Sequence, residues 1–174
     1  MPFSSVRTWL QPDLFLNGSV LSITPELLAR HQLQGLVLDV DDTLVSTRNS
    51  EVSPEVTQWL LSMQEVATVS LVSNNLSRTR IRRIGNSLDL PYTFGARKPS
   101  RRKLRQAVAA MSLPTHRVAM VGDRIFTDVV AGNRLGMFTI LVEPMGSPQQ
   151  ASKLYCLRNF EIWISQQLGA TLKS

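Results

Sequence analysis

The chain has 174 residues, of which 43% are hydrophobic, and its formal net charge is +6. This length favours one domain with a real core, the lone cysteine excludes a disulfide framework, and no apolar run of about 20 residues predicts a transmembrane helix. We therefore expect a cytoplasmic protein whose positive charge attracts an anionic partner, such as nucleic acid, a membrane surface or a phosphorylated substrate.

A helix and a buried strand are the first elements that the pattern predicts. Thr24 and Pro25 supply an N-cap and a first-turn proline for the helix. The apolar run at residues 35–40 is typical of a strand that is buried on both faces. Because residues i and i+2 lie on the same side of a strand, the carboxylates of Asp39 and Asp41 can converge on one point.

Two neighbouring carboxylates need an electrostatic explanation. At about 4 Å and an effective dielectric of 20 they repel by roughly 4 kcal/mol, which is a sizeable fraction of a domain's net stability. Either one is protonated or a cation lies between them, and Asp123, a third acid in a similar setting, favours the cation. Asp42 points off the side that Asp39 and Asp41 share, so we expect it to cap a turn or to face solvent.

Helices and strands alternate through the rest of the chain. Further helices are predicted to begin at Ser53, Ser77, Ser100 and Thr127. Further apolar runs predict buried strands at residues 67–72, 117–121 and 138–142. This order predicts an α/β fold with a parallel sheet and right-handed crossovers. We expect a single domain over residues 1–174, with its core at about residues 35–142 and helical extensions at both ends.

The segment after Pro148 predicts a terminal amphipathic helix. Its apolar side holds Leu154, Leu157, Phe160, Ile164 and Leu168. We expect this side to pack on the core. A membrane-surface role is the alternative, because Lys153 and Arg158 flank an aromatic-rich face that includes Trp163.

Basic residues cluster in two segments near the acidic residues. One helix carries Arg78, Arg80, Arg82 and Arg83, and the start of the next is surrounded by Arg97, Lys98, Arg101, Arg102, Lys103 and Arg105. Most of these basic residues can be interpreted as the solvent-exposed faces of helices. Attraction to an anionic membrane surface is the alternative.

Four polar segments lie at strand ends or helix starts, where open α/β sheets hold their ligands. They are Asp39-Val40-Asp41-Asp42-Thr43, Ser73-Asn74-Asn75, Lys98-Pro99, and the segment from Gly122-Asp123 to Asp128. In this order they resemble the four signature motifs of the haloacid dehalogenase (HAD) superfamily of phosphohydrolases.

The resemblance covers residues 35–142 and is greatest to the capless YqeG-type branch of subclass IIIA, which includes phosphatidylglycerophosphate phosphatases. The segment Gly132-Asn133-Arg134-Leu135-Gly136-Met137 is the most branch-specific, whereas Asp42 stands where the branch more often carries Asn. The resemblance implies a three-layer Rossmann-like fold with a mostly parallel sheet. Neither interval between the motifs leaves the roughly 50 residues that a cap domain requires.

The resemblance also implies roles for the polar residues. Asp39 would be the nucleophile that forms an aspartyl-phosphate, and Asp41 would protonate the leaving oxygen and then activate water. Ser73 and Asn74 would hold the phosphoryl oxygens through a hydroxyl and backbone amides. Lys98 would stabilise Asp39 and the charge that develops on the phosphoryl group.

A magnesium ion and two supporting residues complete the implied site. Mg²⁺ would be held by an oxygen of Asp39, the backbone carbonyl of Asp41 and the carboxylate of Asp123, an oxygen-only set that suits this ion. Asp128 would orient the lysine or a metal-bound water. Thr43 would brace the tight turn that follows Asp41.

An open site suits a phosphate at the end of something large or surface-bound. Our first hypothesis is a Mg²⁺-dependent phosphomonoesterase that converts phosphatidylglycerophosphate to phosphatidylglycerol as a peripheral protein at the inner face of a membrane. The second is a phosphatase of a soluble metabolite or nucleotide, with an oligomer partner as its lid. The third is a non-catalytic phosphate- or nucleic-acid-binding module, which is disfavoured because only Tyr92 and Phe94 are aromatic near the basic residues.

Overall fold

A six-stranded parallel sheet forms the centre of the computed structural model, which describes residues 8–46, 51–145 and 152–171. The strands are β1 (Leu14–Phe15), β2 (Gly35–Asp39), β3 (Thr68–Val72), β4 (Tyr92–Thr93), β5 (Val118–Gly122) and β6 (Phe138–Leu141). Their spatial order is β1-β6-β5-β2-β3-β4, and every neighbouring pair is parallel. This confirms the predicted α/β class.

Six α-helices connect or follow the strands in the described residues. They are α1 (Pro25–Arg30), α2 (Pro54–Gln64), α3 (Arg78–Leu88), α4 (Arg102–Ala110), α5 (Val130–Leu135) and α6 (Ser152–Gln167). The predicted caps are present at α1 and α2, where Thr24 Oγ1 and Ser53 Oγ each accept a backbone N–H at 3.3 Å.

The helix predicted to begin at Thr127 begins earlier and with a different geometry. A π-helical segment, Ile125–Val129, leads directly into α5. The carbonyl of Arg124 accepts from the N–H groups of both Asp128 and Val129, at 3.0 and 3.3 Å. Because the N–H of Val129 bonds five residues back, the first turn after β5 is wider than a turn of α-helix.

The helices cover both faces of the sheet and make three layers. Leu36 and Leu38 of β2 pack in one cluster with side chains of α1, α2 and α3. Val37 of the same strand packs in a second cluster, with side chains of α4 and α5. Alternate residues of β2 are thus buried on opposite faces, which explains why the strand is apolar throughout.

The strand order reverses at β2, and this reversal positions the polar segments. β2 pairs with β3 on one side and with β5 on the other, so Asp39 lies opposite Val72 and Leu38 lies opposite Val121. The carboxyl ends of these strands meet at a topological switch point, where α/β sheets hold ligands.

No separate cap domain appears among the described residues between the polar segments. α2 fills the connection from β2 to β3, and α3, β4 and α4 fill the connection from β3 to β5. Within the described ranges, no helix has the length and hydropathy needed to cross a membrane.

α6 lies with its polar side inward, which contradicts the predicted orientation of the terminal helix. Arg158, Glu161 and Ser165 are buried, whereas Leu157, Phe160, Trp163 and Leu168 are exposed. The reason is that α6 packs on the loop after β5, whose N–H groups need acceptors; of the apolar side chains of α6, Ile162 packs on the cluster that contains Ile125 and Leu141. The side chains of Lys153 and Leu154 fall outside the described residues.

Candidate active site

A cleft of about 220 Å³ opens at the carboxyl ends of β2 and β5. It is lined by Asp39, Asp41, Asp42, Asn74, Lys98, Asp123, Arg124, Thr127 and Asp128. Two further predicted residues, Ser73 and Thr43, contact Asp41 and Asp123 from behind the lining. All of the residues that were predicted from the sequence to form the site thus lie together in the structure.

Lys98 holds two of the buried carboxylates. Its Nζ lies 2.5 Å from Asp39 Oδ1 and 2.6 Å from Asp128 Oδ1. Burial lowers the pKa of Lys98, but the charges of Asp128 and Asp39 outweigh this effect and raise that pKa above its ordinary value. Lys98 is therefore a fixed cation within the cleft.

The carboxylate of Asp39 lies in an environment that opposes its own charge. Burial raises the pKa of Asp39 well above its ordinary value, and the neighbouring charges of Asp128 and Asp123 raise it further. Only Lys98 opposes these effects by direct contact. Lys98 and Arg124, whose charge lowers the pKa of Asp123, are two cations beside three acids, so the cluster is still short of positive charge.

Asp123 completes this cluster of three buried acids. One oxygen from each of Asp39, Asp123 and Asp128 lies within 4.8 Å of the others. Burial, together with the charges of Asp128 and Asp42, raises the pKa of Asp123 to about 7, and Thr43 Oγ1 lies 3.4 Å from Asp123 Oδ1. Crowded carboxylate oxygens with unbalanced negative charge fit a hard divalent cation such as Mg²⁺.

The side chain of Asp41 turns towards a hydroxyl and a guanidinium. Ser73 Oγ donates to Asp41 Oδ2 at 2.5 Å, and the guanidinium of Arg80 pairs with Asp41 Oδ1. Arg80 also donates to the carbonyl of Ser46 at 3.2 Å. The placement of Arg80 on a solvated or membrane-facing helix side was wrong, because α3 begins beside the cleft and its first turn reaches Asp41.

A tight turn at residues 40–45 brings Asp42 into the cleft. The N–H groups of Leu44 and Val45 both donate to the carbonyl of Val40. Asp42 adopts φ +63°, a left-handed conformation that Asn and Asp tolerate better than most residues. Asp42 is buried and lines the cleft, so the expected exposure to solvent was wrong: a left-handed residue interrupts the alternation of sides along the strand.

Asn74 fixes the loop that carries Lys98. Its Nδ2 donates to the carbonyl of Lys98 at 3.2 Å, and its Oδ1 accepts from the N–H of Lys98 at 2.7 Å. In the same turn, the N–H of Asn75 donates to Ser73 Oγ at 2.9 Å. Both polar atoms of the Asn74 side chain are bonded to the backbone of Lys98. The backbone N–H of Asn74 is therefore the group that remains for the predicted contact with a phosphoryl oxygen.

Glu161 of α6 accepts hydrogen bonds from the loop after β5, and it is not among the residues predicted from the sequence. Its Oε2 accepts from the N–H of Ile125 at 2.9 Å and of Phe126 at 3.3 Å. Its Oε1 accepts from Arg124 Nε at 2.8 Å. The one available signal was composition, because Glu161 is the single acid among residues 152–167.

Gly122 permits a close approach at the end of β5. A Cβ at this position would lie 2.2 Å from Asp128 Oδ2. The same oxygen accepts from the N–H of Arg124 at 3.2 Å. Without a side chain at residue 122, the carboxylate of Asp128 can lie against the strand end and still reach Lys98.

Comparisons with known proteins give this geometry a family. The family model for HAD-hydrolase-like proteins matches residues 95–152. The chain is 35% identical over 143 residues to the probable phosphatase YqeG of Bacillus subtilis (strain 168), and the match covers 82% of each chain.

More distant similarities point in the same direction. The chain is 27% identical over 146 residues to phosphatidylglycerophosphate phosphatase 1, chloroplastic/mitochondrial, of Arabidopsis thaliana, and spans 79% of its own length and 42% of that protein's. The solved structure of NagD from E. coli K-12 shares the fold, with a TM-score of 0.53 at 13% identity over 68% of this chain and 91% of the NagD chain. The chain therefore belongs to the HAD-like phosphatases, in the branch of YqeG and phosphatidylglycerophosphate phosphatase 1.

Proposed function

We propose that this phosphatase is a Mg²⁺-dependent phosphomonoesterase that acts through a phosphorylated Asp39 and converts phosphatidylglycerophosphate to phosphatidylglycerol. The observation that carries the chemistry is the contact between Lys98 and Asp39 in a cleft with two further acids. A carboxylate can approach an anionic phosphoryl group only where fixed positive charge offsets the repulsion.

The first half of the reaction transfers the phosphoryl group to Asp39. A carboxylate oxygen of Asp39 attacks phosphorus while the bond from phosphorus to the leaving oxygen breaks. Asp41 gives its proton to that oxygen, which leaves as the alcohol of the product. When substrate binds, the hydroxyl of Ser73 turns from Asp41 to a phosphoryl oxygen, and the backbone of Asn74 holds a second phosphoryl oxygen during the transfer.

The second half hydrolyses the phosphorylated Asp39. Asp41, now a carboxylate, takes a proton from a water molecule, whose oxygen attacks phosphorus. The bond from phosphorus to Asp39 breaks and inorganic phosphate leaves. Both carboxyl groups then return to their starting states, with Asp39 again paired to Lys98.

Fixed charges hold this chemistry in place. When bound by Asp39, Asp123 and the backbone carbonyl of Asp41, Mg²⁺ supplies positive charge for the phosphoryl oxygens. Asp128 contacts Lys98 Nζ at 2.6 Å and keeps it beside Asp39. Two acids thus orient the lysine that stabilises the nucleophile and the transferring group.

Three observations support a lipid-linked substrate. The Arabidopsis relative is named for phosphatidylglycerophosphate, and the net charge of +6 suits an anionic surface. The described connections between the polar segments supply no cap to enclose a small metabolite. An open cleft can instead receive a phosphate that projects from a larger body.

The test compares a soluble and a lipid substrate in the presence of Mg²⁺. Phosphate release should be measured with a chromogenic phosphomonoester and with phosphatidylglycerophosphate in mixed micelles. We expect Asp39→Asn to lower kcat on both by roughly a thousandfold or more, because no equivalent nucleophile replaces it. Glu65→Gln, a charge change at the exposed residue that follows α2, should leave both rates within about twofold of wild type.

The outcomes separate the two parts of the proposal. Wild-type activity in Asp39→Asn would remove the nucleophile assignment. Turnover of soluble phosphomonoesters without any turnover of the lipid would leave the phosphatase chemistry standing and overturn the substrate. No hydrolysis of any phosphomonoester by the wild type would favour a binding module.

A further inference from the structure

α6 presents an apolar stripe to solvent. The stripe consists of Leu157, Phe160 and Trp163 of α6 and of Leu168, which directly follows the helix. Phe160 and Trp163 are 53% and 57% exposed, and their rings stack with centroids 6.3 Å apart. Ile162 and the polar residues Arg158, Glu161 and Ser165 make the inward contacts of α6, so among the described residues the stripe is left exposed. An exposed apolar surface of this kind marks an interaction site.

We propose that the apolar stripe docks the protein on an anionic lipid bilayer. The inference rests on the proposed lipid substrate and names the surface through which the enzyme reaches it. Leucine, phenylalanine and tryptophan on one side of a helix are the residues that enter the boundary between headgroups and acyl chains.

Two contacts and short stretches of chain link the end of α6 to a surface of positive charge. A concave surface of about 700 Å³ is lined by Ser100, Arg101, Arg102, Arg105, Gln106 and Arg134; we call it the basic concavity. The guanidinium of Arg134 lies 5.9 Å from the ring centroid of Trp9. Gln11, two residues later, accepts from the N–H of Thr171 at 2.6 Å, just beyond the end of α6.

This neighbourhood favours a bilayer over a second copy of the chain. A symmetric dimer through the stripe would bring together two chains that each carry a net charge of +6 and a basic concavity. An anionic bilayer accepts both features at once, because acyl chains receive the apolar side chains and lipid phosphates attract the arginines.

α6 also connects the stripe to a loop of the cleft. Phe160 of the stripe is the neighbour of Glu161, which holds the backbone of Ile125 and Phe126. That loop begins directly after Asp123 at the cleft. The catalytic loop therefore lies on the inner side of the same helix whose outer side would contact the bilayer.

The experiment is vesicle sedimentation of the full chain. Wild type is mixed with vesicles of phosphatidylcholine alone or with added phosphatidylglycerol. The double variant Phe160→Ser/Trp163→Ser should partition into the anionic vesicles at least about tenfold more weakly, because two large apolar side chains leave the interface. Leu61→Ser is the matched control: Leu61 is 59% exposed on α2, and its loss should change partitioning by less than about twofold.

A second variant tests the charge without altering α6. Arg102→Gln/Arg105→Gln removes two exposed arginines from the basic concavity and should reduce the preference for anionic vesicles. Unaltered hydrolysis of a soluble chromogenic phosphomonoester by each variant shows that the domain is folded.

Three results would overturn docking through α6. They are a wild type that does not sediment with anionic vesicles, a stripe variant that sediments like the wild type, and a wild-type dimer that the stripe variant turns into a monomer. Asp39→Asn should still bind vesicles normally. A failure of catalysis alone would then remove the proposed function, whereas normal turnover without vesicle binding would remove only the docking surface.

Discussion

At the scale of single residues, Arg80 is the least expected member of the cleft. Its guanidinium and the hydroxyl of Ser73 contact the two oxygens of Asp41, so the carboxylate is held from both sides. A general acid and base must keep its oxygen directed at the leaving group and then at water. We therefore propose Arg80 as a positioning residue for Asp41 in the proposed reaction.

We predict that Arg80→Gln lowers kcat on a chromogenic phosphomonoester by about tenfold to a hundredfold, with a smaller change in KM. The reason is that proton transfer by a positioned group contributes about 10² to 10⁴ in rate, and part of this depends on orientation. Arg83→Gln is the matched control on the same helix, because Arg83 is exposed, and its kcat should stay within about twofold of wild type. Equal losses in both variants would instead indicate a general effect of charge.

At the scale of elements, periodicity predicts the long buried strands and misses the short ones. The apolar runs gave β2, β3, β5 and β6 to within about two residues, because strands buried on both faces must be apolar throughout. β1 and β4 have two residues each, too few to show any alternation. Their place at the sheet edges is decided by tertiary packing.

The site shows the same division between local pattern and tertiary contact. Asp39, Lys98 and Asp123 could be grouped from the sequence because each lies in a recognisable segment at a strand end or before a helix. Asp42 could not, because its burial depends on a positive φ that its residue type permits but does not require. Glu161 could not either, because it reaches the loop after β5 from a helix far along the chain.

The contact of α6 with the loop after β5 leads to a prediction about metal binding. Glu161→Ala leaves two backbone N–H groups and a guanidinium without their acceptor, which should destabilise the protein by about 3 kcal/mol. It should also weaken Mg²⁺ binding by roughly tenfold or more, because the loop carrying Asp123 and Asp128 loses its support. Urea unfolding and calorimetric titration with Mg²⁺ measure the two effects.

Two further variants on α6 make this test specific. Glu161→Gln keeps an oxygen that can accept from Ile125, so it should recover most of the metal affinity. Gln166→Ala changes an exposed position of the same helix and should alter neither quantity by more than about 0.5 kcal/mol. If Glu161→Ala bound Mg²⁺ as tightly as wild type, α6 would support the fold without positioning the loop.

At the scale of the whole molecule, the fold buries mutually repelling carboxylates between its layers. The ends of β2 and β5 carry acids that are buried because helices cover both faces of the sheet. Burial raises the pKa of Asp39 and Asp123, so removal from water opposes their charged forms. A divalent cation that binds only the folded chain should therefore stabilise the entire domain.

We predict that Mg²⁺ at about 100 times its dissociation constant stabilises the domain by about 2.7 kcal/mol, which raises Tm by roughly 5–10 °C for a chain of this size. NaCl at matched ionic strength should give a much smaller shift, because screening does not replace a bound ion. Asp123→Asn should lose most of the Mg²⁺ effect, whereas Glu65→Gln, an exposed change outside the cleft, should retain it. Equal shifts in Mg²⁺ and NaCl, or an undiminished Mg²⁺ shift in Asp123→Asn, would show that the buried acids are not the metal site. The cluster would then have to tolerate its charge by protonation, and Asp39 would be poorly suited to attack phosphorus.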